Sequence, residues 1–209
     1  ADGIIISRTE ARDPRVAYLI EHNIPFATHG RTDMGAIHAW HDYDNESYAY
    51  RAVKLLAERG RRRIALSGPP PHLLYARHTA RGFERAMREL KLEVFPISTL
   101  NLDAPAEEIR RSGLDIGQSP DRPDGIVCSS AISALGIAGG LEDAGLKIGR
   151  DIDIVTKKSS SFIGWFKPEI LTIREDFRLA GRDLARSVLA LIDGADPSTL
   201  QHLAEPDSQ

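Results

Sequence analysis

The chain has 209 residues, with 27 basic and 30 acidic side chains and a formal net charge of −3. A near-neutral chain lacks the basic surface that dominates affinity for nucleic acid, so these residues are not expected to bind DNA or RNA by themselves. Hydrophobic residues make up 42% of the chain, which excludes a disordered or fibrous protein, and no apolar run of about 18 residues is present to span a membrane. The single cysteine, Cys128, excludes an internal disulfide and favours the reducing cytoplasm.

Short β-branched runs alternate with longer segments of helical period, a pattern typical of βα units around a parallel sheet. Strands are predicted at residues 3–7, 26–28, 64–67, 125–129 and 152–156, with a weaker one at 94–100. Helices are predicted between them, at about residues 45–59, 77–92, 132–144 and 176–193. The sequence therefore predicts an α/β protein whose parallel sheets are covered by helices.

Three irregular stretches are candidate functional or interdomain loops. Residues 31–43 and 157–171 are too long for ordinary connections between strands and helices. The third, Pro69-Pro70-Pro71, directly follows a predicted strand. Ligands of open α/β sheets bind at the carboxyl ends of strands, so this turn is a candidate ligand contact.

No motif for catalysis, for a cofactor or for a metal is found in the sequence. The glycine-rich phosphate-binding fingerprints and the G-x-S-x-G nucleophile elbow are both absent. His38 and His41 lie three residues apart but have no second ligand cluster at metal spacing. Gly136, Gly139 and Gly140 lie inside a helical pattern, which favours close helix packing over a phosphate loop. The chain is therefore not expected to be an enzyme.

Several segments, taken in order along the chain, carry a family resemblance. They are GRRRIALSGP from Gly60, RGF from Arg81, RPDGIVCSS from Arg122 and DIDIV from Asp151, with strand-like residues at the start of the chain. Together they resemble the effector-binding domain of the LacI/GalR family of bacterial transcription regulators. The resemblance covers nearly the whole chain.

The resemblance implies two Rossmann-like lobes of the periplasmic binding protein-like fold, type I, which close on a small molecule in the cleft between them. Residues 1–43 and 175–203 would form an incomplete N-terminal lobe, and residues 44–174 the C-terminal lobe. A DNA-binding helix-turn-helix would precede residue 1, so operator DNA would be bound only through that missing head, normally as a homodimer. The alternative is a solute-binding protein of a sugar transporter, which would carry a secretory signal instead.

The resemblance also implies a set of ligand-binding candidates. They are Arg31, Tyr75, Arg77, Ser130, Lys158 and Trp165. Three of the family's pocket positions differ here. Thr79 stands where family members commonly place an arginine, which leaves Arg77 as its substitute, and Ala131 stands where Asp or Asn is common. Lys158 stands where the family has a ligand-binding aspartate.

These differences remove acceptors and leave donors, which favours an acceptor-rich or negatively charged ligand such as a sugar phosphate or a sugar acid. A neutral oligosaccharide is the alternative. Lys157 and Lys158 would then be ordinary solvated lysines of a loop. Trp165, Phe166 and Tyr75 could stack on a sugar ring, and the alternative for Trp165 and Phe166 is a core or dimer contact.

Overall fold

The computed structural model describes residues 2–96 and 104–207, so part of the weaker predicted strand at 94–100 lies outside the described residues. The strands are β1 (Ile4–Ser7), β2 (Phe26–His29), β3 (Ala39–Tyr43), β4 (Arg63–Ser67), β5 (Glu93–Phe95), β6 (Gly125–Cys128), β7 (Asp153–Lys158), β8 (Leu171–Arg174) and β9 (Gln201–Ala204). The helices are α1 (Pro14–Glu21), α2 (Asn45–Glu58), α3 (Leu74–Glu89), α4 (Ala106–Gln118), α5 (Ala131–Asp143), α6 (Phe162–Phe166) and α7 (Phe177–Ile192).

The chain forms two compact units. The first consists of the residues up to Asp44 together with Pro71–Arg77 and Asp176–Glu205. The second consists of Asn45–Pro70, His78–Glu175 and the residues from Pro206 onwards. Helix α3 therefore begins in the first unit and continues in the second.

The first unit is built on a parallel sheet of four strands in the order β1-β2-β3-β9. Alternate residues of a strand point to opposite faces, and β2 shows this directly. Phe26 packs in a cluster with Val16 of α1, whereas Ala27 packs with Leu184 and Val188 of α7. Helices α1 and α7 therefore cover opposite faces of this sheet.

The second unit is built on a parallel sheet of five strands in the order β5-β4-β6-β7-β8. Its centre is β6, all four residues of which are buried. Ile126 of β6 packs with Ile137 and Leu141 of α5, while the neighbouring Gly125 lies against Leu56 of α2. A sheet covered on both faces requires continuous apolar strands, and this is why the short run at residues 125–128 is apolar throughout.

The predicted α/β class with parallel sheets flanked by helices is confirmed. The predicted close helix packing is confirmed for Gly136 and Gly140 of α5 but not for Gly139, where the nearest atoms to an added Cβ lie at 3.9 Å. A Cβ at Gly136 would lie 2.6 Å from Cγ2 of Ile109, and one at Gly140 would overlap the carbonyl oxygen of Arg110 in α4. Two of the predicted irregular stretches are partly regular, because β3 forms within residues 31–43 and β7 and α6 extend into residues 157–171. Within the described ranges, no helix is long and apolar enough to cross a membrane.

Candidate functional site

Several buried polar side chains of the second unit lie at the carboxyl edge of its five-stranded sheet, among them Ser67, Ser129 and Thr156. The chain passes from β4 to β5 on one side and then to β6 on the other, so the strand order reverses between β4 and β6. Ligands of open α/β sheets bind at such a switch point. Ser67 ends β4, and its carbonyl oxygen accepts a hydrogen bond of 3.0 Å from the backbone N–H of Ser129, directly after β6.

Two buried hydroxyl groups at this edge have no hydrogen-bond partner among the residues that the structure describes: Oγ of Ser129 and Oγ1 of Thr156. Ser129 is 5% exposed and Thr156 is fully buried. Thr156 is the register partner of Cys128, so the two hydroxyls belong to neighbouring strand ends. A buried hydroxyl left unpaired costs about 1–3 kcal/mol, so a water molecule or a ligand group that reached either oxygen would gain a hydrogen bond there.

Ser130 caps helix α5, whose first turn begins beside this edge. Its Oγ accepts a hydrogen bond of 3.1 Å from the backbone N–H of Ser133 and lies 3.2 Å from the Ser133 hydroxyl. Serine is favoured at an N-cap because it satisfies an otherwise unpaired N–H of the first turn. The structure therefore gives Ser130 a structural partner, and its predicted contact with a ligand stays a prediction.

The two lysines that end β7 have different environments. Lys157 is buried, its Nζ donates to Oδ1 of Asn45 and lies 3.4 Å from Oε2 of Glu175, and it faces the ring of Tyr48 at 5.4 Å. Lys158 is half-buried, and no hydrogen bond or ion pair joins its ammonium group to another described residue. The alternative that both are solvated loop lysines is wrong for Lys157, because it belongs to a strand and its charge is neutralised internally.

Helix α6 presents two large aromatic side chains to solvent. Trp165 is 78% exposed and Phe166 is 72% exposed, while Ile163 of the same helix is buried in the core of the unit. The alternative that Trp165 and Phe166 are core residues is therefore wrong. Two interpretations of these side chains remain, a contact with a ligand and a contact with another protein.

In the first unit, contacts of both its side chain and its backbone hold the predicted site residue Arg31 in place. Its Nε donates to Oδ2 of the buried Asp42 at 2.7 Å, and its guanidinium lies 5.6 Å from the ring of Trp40. Its carbonyl oxygen accepts a hydrogen bond of 2.8 Å from Oγ1 of Thr9. The preceding Gly30 has φ of +110°, which favours glycine, and it turns the chain after β2. The side chain of Arg31 is 30% exposed, so it is both ordered and accessible.

Thr9 also connects Arg31 to the start of α3, where Tyr75 and Arg77 lie. The carbonyl oxygen of Thr9 accepts a hydrogen bond of 3.1 Å from the backbone N–H of Leu74. Tyr75 is half-buried, and Arg77 is exposed with its guanidinium 3.5 Å from Oδ2 of Asp33. The structure thus places the segments of Arg31, Tyr75 and Arg77 beside one another within the first unit.

Sequence reasoning missed the buried side chains that hold these candidates, among them Thr9, Asp42, Asn45 and Glu175. A local signal was present only for Asn45, which is the first residue of the amphipathic helix α2. The other three are single polar residues whose partners are distant in sequence, so no spacing could have indicated them.

Comparison with known proteins identifies the fold family. Residues 53–208 match the periplasmic binding protein-like domain. The transcriptional regulator AglR of Rhizobium meliloti is 31% identical over 194 residues, which are 90% of this chain and 54% of that protein. The regulator RafR of Escherichia coli is 28% identical over 206 residues, 96% of this chain and 60% of that protein. The chain thus spans little more than half the length of these curated relatives.

The solved structures agree with this assignment. A regulatory protein of the LacI family from Chloroflexus aggregans superposes with a TM-score of 0.85 at 28% identity, over 99% of this chain and 74% of that chain. The resemblance found in the sequence is confirmed. The chain belongs to the periplasmic binding protein-like domain family, in the form that LacI-family transcriptional regulators carry as their effector-binding domain.

Proposed function

We propose that this chain is the ligand-sensing domain of a LacI-type bacterial transcription regulator and that its effector is a sugar or a sugar derivative. The observation that carries the proposal is the pair of buried, unpartnered hydroxyls of Ser129 and Thr156 at the switch point of the second unit. A ligand rich in hydroxyl groups carries both donors and acceptors, and a hydroxyl side chain can pair with either.

The charge at the same edge favours an anionic effector. Lys158 ends β7 two residues after Thr156, and no carboxylate among the described residues neutralises it. Lys157 does not contribute, because Glu175 and Asn45 already satisfy its ammonium group. A phosphate or carboxylate on the ligand would pair with Lys158 in a charge-assisted hydrogen bond. A sugar phosphate or a sugar acid is therefore proposed over a neutral oligosaccharide.

An exposed aromatic ring fits a sugar as well. A sugar ring stacks its C–H face on a flat apolar side chain while its hydroxyls seek polar groups. Trp165 supplies such a face in the second unit. In the first unit, taken by itself, the half-buried Tyr75 and the partly exposed guanidinium of Arg31 are the candidate ligand contacts.

In the intact regulator, the effector would change operator affinity by binding one conformation of this domain more tightly than another. We propose that DNA is bound by a separate helix-turn-helix segment, that the regulator acts as a cytoplasmic homodimer, and that the domain itself catalyses no reaction and needs no cofactor. The named relatives, which are transcriptional regulators, support this reading.

Calorimetric titration of the purified protein tests the ligand. The panel pairs neutral mono- and oligosaccharides with sugar phosphates and sugar acids, and the variants are Lys158→Ala and, as a control, the exposed Lys54→Ala. We expect an anionic sugar to bind, with affinity at least about tenfold lower in Lys158→Ala and unchanged in Lys54→Ala, since a hydrogen bond to a charged group contributes about 1.5–3 kcal/mol. Binding of neutral sugars alone would contradict an anionic effector. Enzymatic conversion of any sugar would contradict the proposal that the domain is a sensor.

The gene that encodes the chain tests the regulator. We expect an upstream segment that encodes a helix-turn-helix, and a full-length product that binds its own promoter DNA with an affinity that the effector changes. An upstream secretory signal would instead support the transporter solute-binding protein. Light scattering of the full-length product tests the homodimer, and a monomer at micromolar concentration would contradict it.

A further inference from the structure

Three histidines lie side by side on neighbouring strands of the first unit. His29 of β2 is the register partner of His41 of β3, and His41 is the register partner of His202 of β9. Register partners in a parallel sheet share a face, and the ring centroids are 6.3 Å apart for His29 and His41 and 4.8 Å apart for His41 and His202. The strand pairing therefore creates a cluster that no local sequence spacing shows.

A carboxylate from the covering helix completes the cluster. Oδ2 of Asp183, on α7, lies 3.2 Å from Nδ1 of His41. One ligand atom from each of His41, Asp183 and His202 lies within 4.8 Å of the other two. His41 is 3% exposed, and its Nδ1 makes no well-aligned hydrogen bond with any described residue. A buried imidazole nitrogen that faces a carboxylate without such a bond is suited to bind a third group that the carboxylate also contacts.

We propose that His41, Asp183 and His202 form a binding site for a divalent transition metal, best suited to Zn²⁺. Two imidazoles and one carboxylate are a known type of zinc ligand set, with a fourth position left for water. Metal–ligand bonds of about 2.0–2.2 Å in a tetrahedral site place ligand atoms roughly 3.4 Å apart. The atoms of His41 and Asp183 are already near that spacing at 3.2 Å, and the largest separation in the cluster, 4.8 Å, exceeds it by about 1.4 Å.

The surroundings allow both a movement of this size and the entry of an ion. His202 is exposed on an edge strand, and the Asp183 side chain is 27% exposed. Both residues line, with His41, a surface depression of about 360 Å³ that also includes Trp40 and Gln201. His29 is not assigned as a ligand, because its ring packs edge-on against the ring of Phe177.

A bound ion would tie three distant parts of the chain together, namely β3, α7 and β9. The assignment is independent of the proposed effector site, since its three ligands all belong to the sheet and helix of the first unit and include none of the proposed effector contacts. The metal would therefore act on the stability of this unit, whichever ligand the second unit takes.

Calorimetric titration of the purified, metal-free protein with Zn²⁺ alone tests the site. We expect one ion per chain, with affinity at least tenfold lower in His202→Ala and in Asp183→Asn, two substitutions at accessible side chains. The control His72→Ala changes an exposed histidine outside the cluster and should leave the affinity unchanged. Circular dichroism of each variant establishes that it is folded.

Replacement of Zn²⁺ by Co²⁺ provides a second readout, because tetrahedral Co²⁺ absorbs visible light far more strongly than the aqua ion. We expect this absorption in the native protein and its loss in Asp183→Asn. The absence of Zn²⁺ binding would overturn the proposal. Binding that survives both His202→Ala and Asp183→Asn, or that falls equally in His72→Ala, would also overturn it, because it would show adventitious coordination by surface histidines.

Discussion

Lys157 and Glu175 form an ion pair inside the second unit, with Nζ of the lysine 3.4 Å from Oε2 of the glutamate. Their side chains are 8% and 10% exposed, so both charges have lost most of their water. The pair joins β7 to the residue that follows β8, and Oδ1 of Asn45, the first residue of α2, accepts a hydrogen bond from the lysine. The charge of Lys157 is thus part of the framework, and only Lys158 beside it is available to a ligand.

Removal of one charge of this pair should destabilise the protein strongly. We expect Lys157→Met to lower the free energy of unfolding by about 3 kcal/mol, because Glu175 is left buried without its cation. Lys157→Met combined with Glu175→Gln should cost less than the sum of the single changes. Urea unfolding measures each value, and Lys54→Met, which changes an exposed lysine 4.0 Å from Glu58, should cost less than about 1 kcal/mol. Equal costs for Lys157→Met and Lys54→Met would contradict the role of the pair.

Two helical glycines should respond to alanine with opposite signs. A Cβ at Gly82 of α3 would overlap the carbonyl oxygen of Glu46 in α2, whereas a Cβ at Gly181 of α7 would have no heavy atom within 4 Å. We expect Gly82→Ala to destabilise by about 1–3 kcal/mol through overpacking, and Gly181→Ala to stabilise by about 0.5–1 kcal/mol through helix propensity. Thermal unfolding followed by circular dichroism compares them. A higher midpoint for both variants would show that α2 and α3 do not pack this closely.

Acid should weaken the second unit partly through Asp153, the first residue of β7. Burial raises the pKa of this carboxyl, but hydrogen bonds from Nε of Arg59 at 2.9 Å and Nε of Arg61 at 2.8 Å outweigh burial and leave it below 3.8. A lowered pKa in the folded state means that the stabilisation is complete above the unfolded value of 3.8 and is lost as the pH falls through the folded value.

Asp153→Asn removes this contribution, so the variant should be less stable than the native protein at neutral pH and should lose less stability as the pH falls below about 4. Urea unfolding at a series of pH values measures both effects. The exposed Asp115→Asn of α4 is the control and should follow the native curve. Parallel curves for Asp153→Asn and the native protein would contradict the assignment.

The thiol of Cys128 should be unreactive in the folded protein. Cys128 is fully buried, and burial raises the pKa of its thiol, so little thiolate is present even in mildly alkaline solution. We expect a thiol reagent to label the native protein slowly and the denatured protein at one thiol per chain. Tyr48→Phe removes the hydrogen bond of 2.6 Å from the tyrosine hydroxyl to the Cys128 carbonyl and should accelerate native labelling about fivefold. Rapid labelling of the native protein would contradict the burial.

The sequence predicted those elements whose signal is local. The run Gly125–Cys128 is apolar at every position, as a strand covered on both faces requires, and it is β6. Helix α2 was predicted from its amphipathic period and from the polar residues that precede it. Strand β3 was not predicted, because Trp40, His41 and Asp42 carry polar groups that disfavour burial. Their charged neighbours lie outside the strand, because Asp42 pairs with Arg31 and His41 faces Asp183.

The positions of the candidate site residues could be predicted as far as the ends of the strands could be predicted. Ser130, Lys158 and Arg31 all follow or end predicted strands, and each parallel sheet gathers its own strand ends on one edge, Arg31 in the first unit and the other two in the second. The different environments of Lys157 and Lys158 could not be foreseen, because Asn45, which binds Lys157, precedes it by 112 residues. Burial of a charged side chain depends on such distant partners, and hydropathy patterns do not contain them.

The pairing of β3 with β9 has a consequence for how the chain folds during synthesis. Trp40 and Gln201 are register partners about 160 residues apart, so the sheet of the first unit stays incomplete until nearly the whole chain has left the ribosome. The sheet of the second unit lies between residues 63 and 174 and is complete earlier. Until Gln201 emerges, β3 presents an unpaired edge, and this edge is where a stalled or truncated chain would pair with a neighbouring molecule.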